Sequence, residues 1–351
     1  MLLDSLLQKV VDLKASDLHL TVGSPPLVRI DSTLQSLPNL APLTREDVYD
    51  ASISAMSASQ KSIYELNKEI DFSYSLPSNA RFRINAFTQQ GLPAAAIRYI
   101  PAIIPTIEEL MLPQVLYDFG KLPQGLVLIT GPTGQGKSTT LASIIDSINS
   151  TRACHIVTIE DPIEYVFTPK KALIAQREMY KDTLSWETAL RSVLREDPEV
   201  VLVGEMRDFE TIAAAITVAE TGHLVLATLH TNSAAQSIDR MIDVFPENQQ
   251  TQVRSQLASI LEGVISQRLV PKIGGGRIAA CEVLINNDAI RNLIREGKTF
   301  QINNVVATSY DLGMITLERS LASLVKKGTI SIDEAIQHTL MPDEVRRLAL
   351  G

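Results

Sequence analysis

Only two cysteines occur in the 351 residues, Cys154 and Cys281, and they form no C-x-x-C pair. That excludes a disulfide framework and a zinc knuckle, and leaves both thiols to be read as buried small apolar groups in a reducing cytosol. The start of the chain lacks the basic n-region and cleavage site of a secretory leader, so no export signal is expected. Its most membrane-like stretch, 211–229, contains Glu220, Gly222 and His223 and divides into a helix followed by a strand. Positive charge is in deficit too, and a net charge of −8 argues against a broad nucleic-acid surface. No internal repeat or low-complexity tract is present. Core-forming residues are plentiful: 45% apolar and 21% charged describe a globular protein, and the length favours two domains over one.

The most informative stretch is 125–149, GLVLITGPTGQGKSTTLASIIDSIN, in which a strand-length apolar run meets a glycine-rich loop and then an amphipathic helix. Gly131, Gly136, Lys137 and Ser138 satisfy G-x-x-x-x-G-K-[ST], with both flanks the motif requires. Glycines let backbone N–H groups face phosphates, and the helix N-terminus adds positive partial charge. The loop from Gly131 through Pro132, Thr133, Gly134, Gln135 and Gly136 to Lys137, Ser138 and Thr139 therefore predicts an ATP site. Lys137 is expected on the β- and γ-phosphates and Ser138 on Mg²⁺.

Ahead of this loop the chain reads as a small α+β domain over 1–100. A helical pattern covers 2–14. Short strands follow around Leu18–Leu20 and Leu27–Ile30, a capping box is formed by Thr44 and Asp47, and a helix passes through Ile63 and Leu66. Three strands are expected at 70–76, 81–88 and 93–100. Arg81 and Arg83 share one strand face, with Arg98 on the next strand. Residues 101–124 hold four prolines around one expected helix, 107–117, and read as a linker and entry helix. From Gly125 to the end at Gly351, strands and helices alternate, which predicts a mostly parallel sheet with a helical C-terminal part.

Two further strands end in acids. The strand at 155–159 runs into Glu160-Asp161-Pro162-Ile163-Glu164, and the strand at 199–203 into Gly204-Glu205. Carboxylates at strand ends are where open α/β sheets place ligand chemistry, and the second resembles a Walker B strand with Gly204 in place of the usual aspartate. A third strand, 224–229, lies between His223 and His230, and its end predicts a γ-phosphate sensor at His230. Gly274-Gly275-Gly276 between strands at 264–270 and 278–285 predicts a hairpin. A helix at 289–297 puts Ile290, Leu293 and Ile294 on one face and Arg291, Asn292 and Arg295 on others.

With these residues in view the chain resembles the secretion-ATPase superfamily, most closely the PilT-like retraction ATPases of type IV pili. The resemblance rests on GPTGQGKS (131–138), IEDPIEY (159–165), LREDPEVVLVGEMRD (194–208), TGHLVLATLHTN (221–232) and AIRNLIREG (289–297), and covers nearly the whole chain. It implies a PAS-like N-terminal domain and a RecA-like ATPase domain, assembled as a homohexamer with ATP where subunits meet. The acidic box maps onto Asp161 and Glu164, the Walker B acid onto Glu205, and the box histidines onto His223 and His230. Arginines reaching ATP from the N-terminal domain correspond to Arg81, Arg83 and Arg98. The expected partners are an inner-membrane pilus platform protein and a paralogous retraction ATPase, with the motor peripheral at the cytoplasmic face of that membrane.

The resemblance further implies ATP hydrolysis coupled to withdrawal of pilin subunits. Two acids, Glu164 and Glu205, compete to orient the attacking water; Glu164 is favoured as general base, with Glu205 organising Mg²⁺ or its waters, because Gly204 leaves no other acid on that strand for the metal. Gln135 stands where serine is common, and this loop position is expected to act through its backbone. Competing readings are a superfamily motor for extension, type II secretion or DNA transfer, a RecA-like nucleic-acid motor, and a nucleotide-sensing scaffold with little turnover. The absent four-cysteine zinc insert and the presence of AIRNLIREG favour retraction. The acidic charge and the lack of an aromatic-basic groove disfavour nucleic acid.

Overall fold

Leu3, Leu6, Leu7 and Val10 fall on one side of the first helix, Leu3–Asp12, and all four are buried. The structure is a computed structural model that describes residues 3–30, 33–78, 80–100 and 103–351. It divides into two units, Met1–Ile103 with Pro162–Val166, and Ile104–Asp161 with Phe167–Gly351.

The first unit is built on six strands, β1 (Asp17–Thr21), β2 (Leu27–Ile30), β3 (Thr33–Ser36), β4 (Glu69–Ser75), β5 (Arg81–Gln89) and β6 (Leu92–Ile100). They pair antiparallel in the order β3-β2-β1-β6-β5-β4. Alternation dictates the faces: Leu18 and Leu20 on β1 and Phe82, Ile84 and Ala86 on β5 enter the core, while the residues between them stay more accessible. The expected box at Thr44 is present, its hydroxyl accepting from Asp47 N and the Asp47 carboxylate from Thr44 N. This is the α+β unit that the residues predict, and it agrees with the PAS-like domain that the resemblance implies. The all-exposed edge strand β3 went unpredicted, since it has no apolar alternation.

The second unit carries seven strands: β7 (Gly125–Thr130), β8 (His155–Glu160), β9 (Leu173–Glu178), β10 (Val200–Val203), β11 (Leu224–Leu229), β12 (Leu261–Pro271) and β13 (Arg277–Ile285). Their order is β13-β12-β7-β11-β10-β8-β9, parallel except for the β12–β13 hairpin. Strands β7, β10 and β11 are buried at every residue, because helices cover a parallel sheet on both faces. The result is a RecA-like sheet whose central strands all deliver their C-terminal ends to one edge. Among the described residues no helix is long and apolar enough to cross a membrane.

Several expectations need correction. The helix predicted for 107–117 does not form. Residues 107–111 are turns, and the helix runs instead over Val115–Lys121. Pro113 lacks an amide and disfavours a helical Leu112, and Met111 takes a left-handed φ of 53° that ends the preceding turn. Pro101 and Ala102 of the expected linker lie outside the described residues, as does Leu2 of the first helix, and Ile104 onward groups with the second unit. Cys281 is buried as expected, with its thiol pushed up to about 12 by desolvation. Cys154 is only half-buried, in the connection that precedes β8.

Candidate functional site

The loop leaving β7 is shaped by three glycines with positive φ, Gly131 (143°), Gly134 (78°) and Gly136 (83°). At Gly131 a Cβ would also collide with the backbone oxygen of Gln267 on β12, so only glycine lets the loop lie this close to the neighbouring strand. Helix Lys137–Thr151 starts directly at the loop, and its N-cap, Gly136, makes no side-chain capping bond. The first-turn N–H groups and the helix dipole therefore face whatever the loop encloses. Ser138 is exposed at this opening, as are Thr133 and Gly134, while Pro132 and Thr139 are half-buried.

Lys137 is buried, and its Nζ donates to Gly131 O (2.7 Å) and Pro132 O (3.0 Å) and lies 3.3 Å from His230 Nδ1. An ammonium only donates, so Nδ1 accepts and the His230 proton sits on Nε2. That Nε2 lies 2.9 Å from Glu205 Oε1. Lys137, His230 and Glu205 thus form one polar chain across the ends of β7, β11 and β10, with Thr133 Oγ1 3.5 Å from Nδ1. Arg207 closes a fork on Glu205, Nε to Oε1 at 2.6 Å and a terminal nitrogen to Oε2 at 2.7 Å.

Burial alone would raise the Glu205 pKa. The Arg207 hydrogen bonds and the charges of Arg207, His230 and Lys137 outweigh it and hold the carboxyl below its ordinary value. The Glu205 bond in turn holds Arg207 above its ordinary value against partial burial, helped by the charges of Glu205 and Asp161. Gly204 is explained by packing: a Cβ there would press on Glu160 Cα and Ile159 O at 3.2 Å. The Walker B position usually given to aspartate is, in this chain, a close approach of the residue after β10 to the end of the parallel neighbour β8.

Not every expected residue reaches this cluster. His223 precedes β11, at the sheet edge opposite the loop, where Nδ1 lies 3.0 Å from Val218 O and 3.1 Å from Thr221 Oγ1. Six strand residues separate it from His230, about 20 Å at the usual rise. Within one subunit it does not meet the loop. Arg81, Arg83 and Arg98 belong to the first unit, as does Glu164. Arg83 pairs with Asp71 (2.6 Å) and with Glu164 (3.6 Å), Arg81 Nε donates to Ile163 O (3.1 Å), and Arg98 Nε donates to Asp17 (3.0 Å). The acidic box is therefore split, Asp161 grouping with the sheet unit and Glu164 with the arginine strands.

Two side chains that motif reading missed support the site. Gln267 on β12 binds both Thr140 and Gln135, and Gln135, expected to act mainly through its backbone, also uses its side chain, Oε1 accepting from Leu269 N at 2.6 Å. Glu282 on β13 is buried, accepts from Ala234 N (3.0 Å), and so caps helix Ala234–Asp243, which begins four residues after His230. Its pKa is pushed up to about 7, chiefly by burial and further by the buried Glu318 carboxylate, against the pull of the Ala234 N–H and Arg268. An acid inside the otherwise apolar run of β13 is the sequence signal for it.

The Type II/IV secretion system protein family matches residues 1–275. Over 329 residues the chain is 51% identical to the Type IV pilus retractation ATPase PilT of Pseudomonas aeruginosa, covering 94% of this chain and 95% of that protein. It is 50% identical over 311 residues to the Twitching motility protein of Neisseria gonorrhoeae, covering 88% and 83% respectively. Among solved structures, the pilus retraction motor PilT with bound ADP superimposes with a TM-score of 0.90 at 48% identity, covering 99% of each chain.

Proposed function

The chain belongs to the type II/IV secretion system protein family as an ATP-hydrolysing pilus retraction motor of the PilT kind, and from that premise we propose how its residues do the work. The observation that carries the proposal is the chain Lys137–His230–Glu205 beside the phosphate loop. A phosphate oxygen is a stronger acceptor for Lys137 than an imidazole nitrogen, so γ-phosphate entry takes the ammonium from His230 Nδ1. The freed Nδ1, which carries no proton, can then accept from the attacking water, while the Nε2–H stays on Glu205. This makes His230 a sensor that reports phosphate occupancy to the ends of β10 and β11.

Glu205, held charged and tied to Arg207, is a weak proton acceptor, and we read Glu164 as the general base. The donor set fits Mg²⁺ in the way a nucleotide-borne ion is held: Ser138 would offer one exposed hydroxyl and Glu205 would hold the ion's waters, and among the described residues no cluster of His, Cys, Asp or Glu forms a dedicated cage. When bound, that ion neutralises charge developing on the β- and γ-phosphates. Arg81, Arg83 and Arg98, with His223, are read as contributors to a neighbouring subunit's nucleotide in a homohexamer. The motor works peripherally at the cytoplasmic face of the inner membrane, on a pilus platform protein and alongside a paralogous ATPase. Light scattering of the purified chain with ATP and with ADP tests the assembly: a hexamer is expected, and a monomer under both conditions contradicts it.

A further inference from the structure

The nucleotide loop is fastened from behind by a residue that no nucleotide motif contains. Gln267 lies on β12, one position past Ser266, whose pairing with Thr130 is the last between β12 and β7. From there β12 runs on beside the loop. Gln267 is buried, its Nε2 donates to Gln135 O at 2.7 Å, and its Oε1 accepts from Thr140 Oγ1 at 2.8 Å. The orientation of the amide is fixed chemically, because the Gln135 carbonyl accepts only and must face the NH₂ end. Two residues on, Leu269 N donates to Gln135 Oε1 at 2.6 Å. Strand β12 therefore grips both the backbone and the side chain of residue 135.

We propose that Gln267 is a positioning residue for phosphate binding, acting with Gln135 to aim a loop amide at the nucleotide. In a trans peptide unit the C=O and N–H point in opposite directions. Fixing Gln135 O toward β12 turns Gly136 N–H away from β12, and backbone N–H groups are what such a loop offers to phosphate oxygens. Without the Gln267 donor this peptide is free to rotate, since Gly136 carries no side chain to hold it and its φ of 83° lies in a region glycine visits readily. The Thr140 bond sets the amide of Gln267 from the first turn of the following helix, so loop and helix are aligned by one side chain. Past Leu269, Val270 enters the apolar cluster of Leu321, Ile330, Ala335 and Val345, which gives the grip a rigid anchor in the C-terminal helices.

This inference rests on the reading of the loop as a nucleotide site, and calorimetric titration of the purified 351-residue chain with ADP separates the two. If the unaltered chain binds no ADP, the nucleotide reading itself fails. Given binding, Gln267→Leu, which keeps bulk and removes both polar ends, is expected to weaken ADP about tenfold. Gln135→Ala, at a half-buried loop position, is expected to weaken it severalfold. The double variant is expected to lose less than the product of the single losses, because both contacts hold the same peptide. A merely structural role would lower Tm and leave the ADP Kd alone. An ADP Kd within twofold of the unaltered chain in Gln267→Leu, or in Gln135→Ala should Gln267→Leu not fold, overturns the proposal, as do losses that multiply in full.

Discussion

Glu205 Oε1 accepts the Nε2 proton of His230 at 2.9 Å, so the acid ending β10 is bound to the base ending β11. The other ring nitrogen faces Lys137 at 3.3 Å, which makes the histidine the connection between the phosphate loop and the Walker B acid. Substitutions along this chain should separate binding from turnover. Lys137→Ala removes a charge-assisted phosphate contact and is expected to weaken ADP by at least about tenfold. Glu205→Gln and Glu164→Gln are expected to bind ADP normally and to hydrolyse ATP on the order of a hundredfold more slowly. Phosphate release and calorimetry on the same samples check this, and near-normal hydrolysis by Glu164→Gln removes it from the mechanism.

Glu282 gives a pH signature in stability. Its folded-state pKa is raised to about 7, so between its ordinary value and about pH 7 the folded chain holds a proton that the unfolded chain has released. Stability therefore falls as pH rises across that window. The ceiling on the loss is roughly 3 to 4 kcal/mol, for a carboxyl raised from 4.5 to about 7. Glu282→Gln keeps an acceptor for Ala234 N and has no charge to desolvate. Its Tm should exceed that of the unaltered chain at pH 8, with the gain fading below about pH 4.5. Equal gains at both pH values would show that the carboxyl does not titrate in this way.

Helix Asp288–Arg295 buries Ile290 and Ile294 and exposes Asn292 and Arg295, while Arg291 is half-buried and pairs with Asp288 at 3.0 Å. The helix is anchored by its apolar side and presents a polar one. Arg291→Ala combined with Arg295→Ala is expected to leave the assembly state of the purified chain and most ATPase activity unchanged while abolishing retraction in cells. A parallel loss of hydrolysis and motility would assign the helix to the active-site machinery instead.

How far the sequence foretold this site depends on how local each contact is. The phosphate loop is written in consecutive residues, and His230 announces itself by directly ending an apolar strand. Gln267 has no such signature, because it meets Gln135 across 132 positions and only the β12–β7 register brings them together. His223 flanks the same strand as His230, but strand polarity sends it to the opposite end, so within one subunit the two histidines do not share the loop. Strand β9 and helix Pro342–Leu350 also went unpredicted. The first is a partly exposed edge strand without alternation, and the second shows Pro at its start and acids in its first turn, signals that were legible.

The most direct test of the motor's function is made in the host. The gene is deleted, surface pili are counted and twitching is scored, and the deletion is complemented with the unaltered chain and with Lys137→Ala. Deletion should leave cells hyperpiliated and unable to twitch, with rescue by the unaltered chain and none by Lys137→Ala. Bald cells after deletion would contradict the account, because they would make this chain a motor for extension.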